Sequence, residues 1–419
     1  MGNRREFIQK SVLSTSFLAS MAWFSPLIAN TSNRQRVTTI TWDQLRSQFP
    51  LKDDLFHFNI ASLGPTSEAV LDRINEVNRE LASKARDGRW LFKEARESLG
   101  NFVKADPSCL SFTRNTTEGM NLAAQAIPFK EGDEIILTDQ EHVGGAAPFI
   151  ALQKSKGVIV KVAKLDPKGD GLFESIQSMV TEKTKAIVFS HVCCSNGMIL
   201  PAEEIVDLCR QNSIYSVVDG AQAAGMLSLD LDALSPDFYA ASGHKWMYGP
   251  IGSGFLFTNN EILQSLDPVF AGAYSDSKFD MDDLALDYLK TASRDEYGTR
   301  NAANVAAIAA AIELLNELNL DQIQSRSLEY REYLYDYLSK QDHVEVISPK
   351  EQCHHAMLSF KSAKVSSKEI VDQLRKEYKI NLRYVYEGNL DAVRISIPIY
   401  TSEKEMKYLQ NSLTSIFKA

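Results

Sequence analysis

Ala240-Ala241-Ser242-Gly243-His244-Lys245-Trp246-Met247-Tyr248-Gly249-Pro250 puts one lysine on a polar, glycine-flanked turn between the apolar runs 237–241 and 254–258. Strand, turn and strand is the simplest reading of that pattern. A lysine amine attacks a carbonyl only when neutral, and desolvation or a neighbouring cation lowers its pKa far enough to make it so. A solvated turn is the commoner fate of a single lysine, because Lys is seldom buried without a partner. Whether Lys245 has partners has to be read from the rest of the chain.

The chain has 419 residues, 44% apolar and 24% charged, enough for a full core and two domains. A formal charge of −9 argues against a nucleic-acid surface, which needs clustered Lys and Arg, so the expected partner is a small molecule. Cys109, Cys193, Cys194, Cys209 and Cys353 are too irregularly spaced for a disulfide framework. They form no CxxC or Cys/His zinc pattern either, so no metal is expected.

Asn3-Arg4-Arg5-Glu6-Phe7-Ile8-Gln9-Lys10 precedes a weakly apolar stretch over 12–29 that contains no acidic residue. This start resembles a twin-arginine export signal. Ser14, Thr15, Ser16, Ser20, Ser25 and Pro26 interrupt the stretch, which disfavours a stable membrane span. The resemblance implies export to the periplasm or another extracytoplasmic space; without a working signal the protein stays cytoplasmic.

After the extended piece Phe58-Asn59-Ile60-Ala61-Ser62-Leu63-Gly64-Pro65, Thr66 or Ser67 can cap a helix carrying Val70, Ile74, Val77 and Leu81 on one face. A second helical stretch follows Trp90. Apolar runs at 109–113, 134–138, 158–165, 185–192 and 214–219 then alternate with helix-period segments, which predicts an α/β fold with a mainly parallel sheet covered on both faces. The alternation stops near Thr258. Long helices over 301–318 and 321–340 lead to strand candidates at 343–348, 356–360, 380–386 and 393–397, with helices at 367–378 and 402–417. The expected organisation is an export signal (1–29), an N-terminal segment joining the small domain (30–60), a large domain (61–300) and a smaller α+β C-terminal domain (301–419).

Ligands of open α/β sheets sit beyond the carboxyl ends of the strands, so strand-end residues are the ones to inspect. The run 109–113 leads into Arg114-Asn115-Thr116-Thr117-Glu118-Gly119-Met120-Asn121, where Asn115 or Thr116 can cap a helix whose first N–H groups suit a phosphate. The run 213–219 ends in Asp219, followed by Gly220-Ala221-Gln222. An acid there is either a helix cap or the partner of a buried cation such as a protonated pyridine nitrogen. One strand return separates Asp219 from Lys245, so the two can face one crevice.

Asp219-Gly220-Ala221-Gln222, Ser242-Gly243-His244-Lys245, Thr116-Thr117-Glu118 and Gly298-Thr299-Arg300-Asn301 together resemble the class V aminotransferase family of fold-type I pyridoxal-phosphate enzymes, over roughly residues 59–402. The resemblance implies a seven-stranded large-domain sheet and pyridoxal 5'-phosphate as cofactor. Lys245 would carry the cofactor as an internal aldimine, Asp219 would pair with the pyridine nitrogen, and Gln222 would donate to the ring oxygen. Thr117, the Thr116 backbone, Ser242 and His244 would hold the phosphate. Thr299 would reach the phosphate of a neighbouring subunit, which implies a homodimer. His142, in Asp139-Gln140-Glu141-His142, would stack on the ring. Arg394, in Val393-Arg394-Ile395-Ser396, would grip a substrate carboxylate, a task suited to a guanidinium fork. Asn59 and Ser62 would join it in binding substrate.

Within the family, the pattern is similar to the isopenicillin N epimerase-like branch through residues 59–65, Arg114-Asn115-Thr116-Thr117-Glu118-Gly119, the Gly-x-x-Leu-Pro ending at Pro201, and Gly298-Thr299-Arg300. Cysteine desulfurases carry a catalytic cysteine on a loop shortly before the carboxylate-binding arginine. Here residues 383–392 lead to Arg394 with no cysteine, and Cys353 lies about forty residues too early, by the same numbering. Cys194 also stands where desulfurases place an asparagine. The expected reaction is transamination, epimerisation or elimination at the Cα of an amino acid or small amine. Sulfur or selenium release, and an exported binding or structural protein without activity, are the alternatives.

Overall fold

The computed structural model describes residues 41–354 and 356–418; the export signal read at 1–29 lies outside them. The chain enters through a two-residue strand, β1 (Phe56–His57). Then β2 (Leu110–Thr113), β3 (Glu134–Thr138), β4 (Ile159–Ala163), β5 (Thr184–Ser190), β6 (Tyr215–Asp219), β7 (Phe238–Ser242) and β8 (Gly254–Thr258) form a seven-stranded sheet in the order β2-β8-β7-β6-β5-β3-β4. Only β8 runs against its neighbours; the pairs from β7 across to β4 are parallel. Strands β2, β3, β7 and β8 are buried at every position. Helices cover both faces of such a sheet, so its strands read as continuous apolar runs and not as alternations. On one face Ile135, Leu137, Ala186, Val188, Val217, Ala240 and Leu256 pack with Met120 and Phe149 from the covering helices.

The helix Glu68–Lys84 packs Val70 against Ala307 and Ala311 of the helix Ala302–Leu318, whose alanines let the two axes approach closely. Ser67 occupies the N-cap position of the first of these helices, but its hydroxyl makes no capping bond. Asn115 caps the helix Thr116–Ala126 by accepting from Glu118 N at 2.9 Å. Among the described residues no single helix is long and apolar enough to cross a membrane.

Past β8 the chain forms a hairpin, β9 (Asp276–Asp280) and β10 (Ala285–Tyr288), that the sequence did not signal. Its side chains are exposed or half-exposed, so the strands carry no apolar run. A second, antiparallel sheet follows, built from β11 (Val344–Val346), β12 (Met357–Ser362), β14 (Arg383–Val385) and β15 (Ala392–Ser396) in the order β11-β12-β15-β14. The one strand expected over 380–386 is two. A break at Leu382 lets β13 (Ile380–Asn381) pair in parallel with β1 while β14 joins β15. Asn59 then bridges Ser396, which brings the segment after β1 to the end of β15.

Candidate active site

Strands β6 and β7 are parallel neighbours with Asp219 opposite Ala240, so the acid and the turn after Ser242 leave the sheet at the same edge. Asp219 is 5% exposed, and its Oδ1 accepts from Ala221 N at 2.9 Å. No regular helix starts there, so the bond closes a local Asx-type turn and is not a helix cap. Among the described residues no cation lies within ion-pair distance of Asp219. Burial raises its pKa, and Lys245 opposes the shift.

The turn bearing Lys245 is tied by Gly243 N to Ser253 O (2.9 Å), Gly249 N to Gly243 O (2.8 Å) and Tyr248 N to Lys245 O (3.0 Å). Gly64 N donates to His244 O at 2.7 Å, which lays the 59–65 segment across the turn. Burial lowers the Lys245 pKa; Asp219 pulls it back, and Arg394 and Arg383 push it down further. Lys245 is therefore no solvated turn residue.

His142 caps the helix Val143–Ile150, with Nδ1 accepting from Gly144 N at 3.0 Å. The neutral ring therefore carries its proton on Nε2. Burial first, and then Lys245, push the His142 pKa down to about 4, so the ring is neutral at pH 7. The start of this helix presses close to the site: a Cβ at Gly145 would lie 2.9 Å from Asp219 Oδ2, and one at Gly144 2.4 Å from Thr117 Oγ1.

At the helix Thr116–Ala126, Thr116 N donates to Ser242 Oγ (3.1 Å) and the two hydroxyls meet at 2.7 Å. The Thr116 N–H, expected to hold a phosphate, donates here to the Ser242 hydroxyl. The hydroxyl pair retains one proton to give, and exposed Thr117 keeps its amide and hydroxyl unbonded among the described residues. The buried Nδ1 of His244 makes no hydrogen bond of good geometry, although the Ser253 backbone is near enough to act on the ring. Gln222 is more constrained than expected. Its Oε1 accepts from Trp246 Nε1 (2.8 Å) and its Nε2 donates to Ala61 O (3.0 Å), leaving one N–H for a ring oxygen. Thr299 is exposed and lines a separate cavity of about 310 Å³ with Arg114, Glu118 and Ser253, so the structure does not bring it to the crevice of Lys245.

Arg394 on β15 is fully buried and donates to Cys194 O (2.6 Å), Asn59 Oδ1 (3.1 Å) and Ser62 Oγ (2.8 Å). Asn59 Oδ1 also accepts from Ser62 Oγ at 2.9 Å. Asn59 and Ser62 thus orient the guanidinium, where the sequence had them binding substrate beside it. Arg394 Nε is buried and, among the described residues, has no acceptor, and no carboxylate among them forms an ion pair with this arginine. Burial, reinforced by Arg383, lowers its pKa to about 10.

Three more residues belong to this neighbourhood. Arg383 and its ion-pair partner Glu387 act electrostatically on His142. The Cys194 thiol, pushed up to about 11 by burial, is influenced by Arg394 and Lys245. Only Cys194 left a trace in the sequence, as the replacement of an asparagine; the place of Arg383 depends on strand pairing. Behind Asp219, the buried Glu141 accepts from Thr138 Oγ1 (2.5 Å), Ser190 N (3.1 Å) and Ser190 Oγ (2.7 Å).

Sheet and crevice together define an α/β enzyme whose lysine is prepared for carbonyl chemistry. Residues 65–409 match the family model Aminotransferase class-V, and the chain belongs to that family. It is 29% identical over 395 residues to isopenicillin N epimerase of Amycolatopsis lactamdurans, covering 90% of this chain and 99% of that protein. It is 27% identical over 343 residues to a cysteine desulfurase of Haloferax volcanii, covering 77% of this chain and 78% of the relative. The cystine C-S lyase C-DES, solved with its product cysteine persulfide, superposes with TM-score 0.80 at 26% identity, covering 87% of this chain and 99% of that one.

As a member of this family the protein is a pyridoxal-phosphate-dependent enzyme, and its residues fit the group. Asp219 is a buried carboxylate with no ion-pair partner among the described residues, suited to a protonated ring nitrogen. The unbonded groups of Thr117 and the proton left on the Thr116 and Ser242 pair suit a phosphate.

Proposed function

We propose that the enzyme works at the Cα of an amino acid or related small amine, as an aminotransferase, epimerase or lyase, with amino-group transfer as its generic activity. The observation that carries this reading is that Asp219 and the turn bearing Lys245 leave the sheet at one edge, where the two act on each other, while buried Arg394 has no ion-pair partner among the described residues. Bound pyridoxal phosphate supplies an electron sink for a bond breaking at Cα. Lys245 Nζ, its pKa lowered by burial, takes the proton from Cα or returns it. Asp219 would hold a proton on the ring nitrogen, and His142, neutral and accepting from Gly144 N, would cover a flat ring face. Arg394 would meet the α-carboxylate with the donors its three neighbours leave, as a charge-assisted hydrogen bond. Purified protein is expected to show a visible band that borohydride traps and Lys245→Ala abolishes. A colourless protein that never takes up pyridoxal phosphate would sink the reading. A screen of amino donors with keto-acid detection identifies the substrate.

A second reading, sulfur release, is favoured by the desulfurase and C-S lyase relatives. All five cysteines are buried, and the Cys194 thiol is held far from its reactive thiolate form, so sulfide would leave without an enzyme persulfide. Sulfide release that survives both Cys194→Ala and Cys353→Ala supports that route, and its loss in either variant supports a desulfurase.

We also propose a homodimer in which Thr299 serves the neighbouring site. Sedimentation showing a monomer, or full cofactor retention in Thr299→Ala, would remove that proposal. Export through the twin-arginine-like start is proposed likewise. A reporter fusion that moves unchanged when Arg4 and Arg5 become lysines would refute it.

A further inference from the structure

Arg383 and Arg394 are Cα partners across the antiparallel pair β14 and β15, so their side chains leave the same face of the sheet. Both act electrostatically on Lys245, Cys194 and His142. Like charges directly opposite each other destabilise a ladder, so this pair calls for an anion. One is built in. Glu387, on the single turn Glu387–Asn389, is ion-paired with Arg383, and its Oε2 accepts from Tyr386 N at 3.2 Å. Among the described residues the hydrogen-bond partners of Arg394 are neutral, the Cys194 carbonyl and the side chains of Asn59 and Ser62, and Glu387 acts on it without forming an ion pair.

The turn lies close against Gln140. Gly388 has φ +62°, and a Cβ there would come 2.7 Å from Gln140 Nε2. Gln140 is itself fixed by Ser195 Oγ at 2.8 Å. The side chain of Glu387 is 7% exposed and that of Arg383 is 19% exposed, so both charges are largely withdrawn from water.

We propose that Glu387 determines substrate specificity: by neutralising Arg383 it leaves Arg394 as the guanidinium of this pair without an ion-pair partner, so the site takes amino acids with a single carboxylate and rejects dicarboxylic ones. A second carboxylate reaching Arg383 would have to displace Glu387, and a buried carboxylate stripped of its partner is costly. If Glu387 stayed, the two anions would repel. The inference rests on the reading of Arg394 as the α-carboxylate site. It does not depend on which Cα bond breaks.

Calorimetric titration of the full chain, as purified and as Lys245→Ala, with butyrate and with glutarate tests this directly, since neither probe carries an amine to react. Wild type is expected to bind glutarate no more tightly than butyrate. Glu387→Gln is expected to shift the ratio toward glutarate by about tenfold or more, the worth of one charge-assisted bond, and a Glu387→Gln/Arg383→Gln double variant to lose that gain. A wild type that prefers glutarate overturns the proposal, even if Glu387→Gln fails to fold. So does an unchanged ratio in a folded Glu387→Gln, or a chain that binds neither probe. A missing visible band together with the expected carboxylate preference would refute the cofactor chemistry and leave this inference standing.

Discussion

Arg394→Lys separates charge from geometry at the substrate end of the site. Three donor bonds of the guanidinium are committed to Cys194 O, Asn59 Oδ1 and Ser62 Oγ, while Nε is buried without an acceptor. A lysine has three N–H donors, and satisfying the same three neighbours would turn all of them away from an incoming carboxylate. The variant should lose at least one charge-assisted hydrogen bond to substrate, about 1.5–3 kcal/mol. That corresponds to a KM raised roughly 10–150-fold. The carboxylate contact is made equally in ground and transition states, so kcat should change by less than about threefold. The assay is steady-state kinetics with the amino acid found in the donor screen, after confirming that the visible band is intact. A KM within about twofold of wild type would refute the assignment. A fall in kcat at constant KM would instead place Arg394 in the chemical step.

Gly145→Ala drives a methyl to 2.9 Å from Asp219 Oδ2, and is expected to weaken cofactor binding by at least about tenfold, one lost charge-assisted bond. Unchanged affinity by spectral titration would show that Asp219 tolerates displacement. Burial holds His142 and His191 down at about 4, below the ordinary ~6.5. The unfolded chain therefore binds more protons in that window: their neutral burial costs nothing above about pH 6.5, and stability falls as pH drops toward about 4, by up to about 3 kcal/mol per ring. Denaturant midpoints across this range should slope less in His191→Asn, and an unaltered slope would contradict the account. Glu296 is fully buried and accepts from Arg96 Nη1 (2.7 Å), Arg96 Nη2 (2.9 Å) and Phe112 N (2.8 Å). Glu296→Gln should cost about 3–5 kcal/mol by denaturant unfolding, as expected for breaking a buried ion pair; a loss under about 1 kcal/mol would mean the arginines find other partners.

The large sheet was legible because strands buried on both faces leave continuous apolar runs, and the edges of β3 and β8 fell where those runs ended. Lys245 and Asp219 were legible because a polar residue closing such a run has no packing reason to be there. The hairpin β9/β10 was not, since it buries almost nothing and leaves no pattern. Arg383 escaped for a different reason. Residues 380–386 read as one strand, whereas the break at Leu382 hands β13 to β1 and sets Arg383 opposite Arg394. That register involves residues far apart in the chain and has no local signature. Gln222 and Thr116 could be named from the sequence, but not their bonds: Trp246 donates to the Gln222 oxygen, Ala61 O accepts one Gln222 N–H, and Ser242 Oγ accepts the Thr116 N–H, all contacts between residues far apart in the chain.

The turn that presents Lys245 closes on its own backbone, through Gly243 to Ser253, Gly249 to Gly243, and Ser253 Oγ to Pro250 O at 2.5 Å. None of these bonds involves Asp219, Thr117 or Arg394. The loop therefore takes its shape from bonds that changes at Asp219, Thr117 or Arg394 leave in place, so variants at those positions alter what the crevice can hold without moving the backbone that carries the lysine.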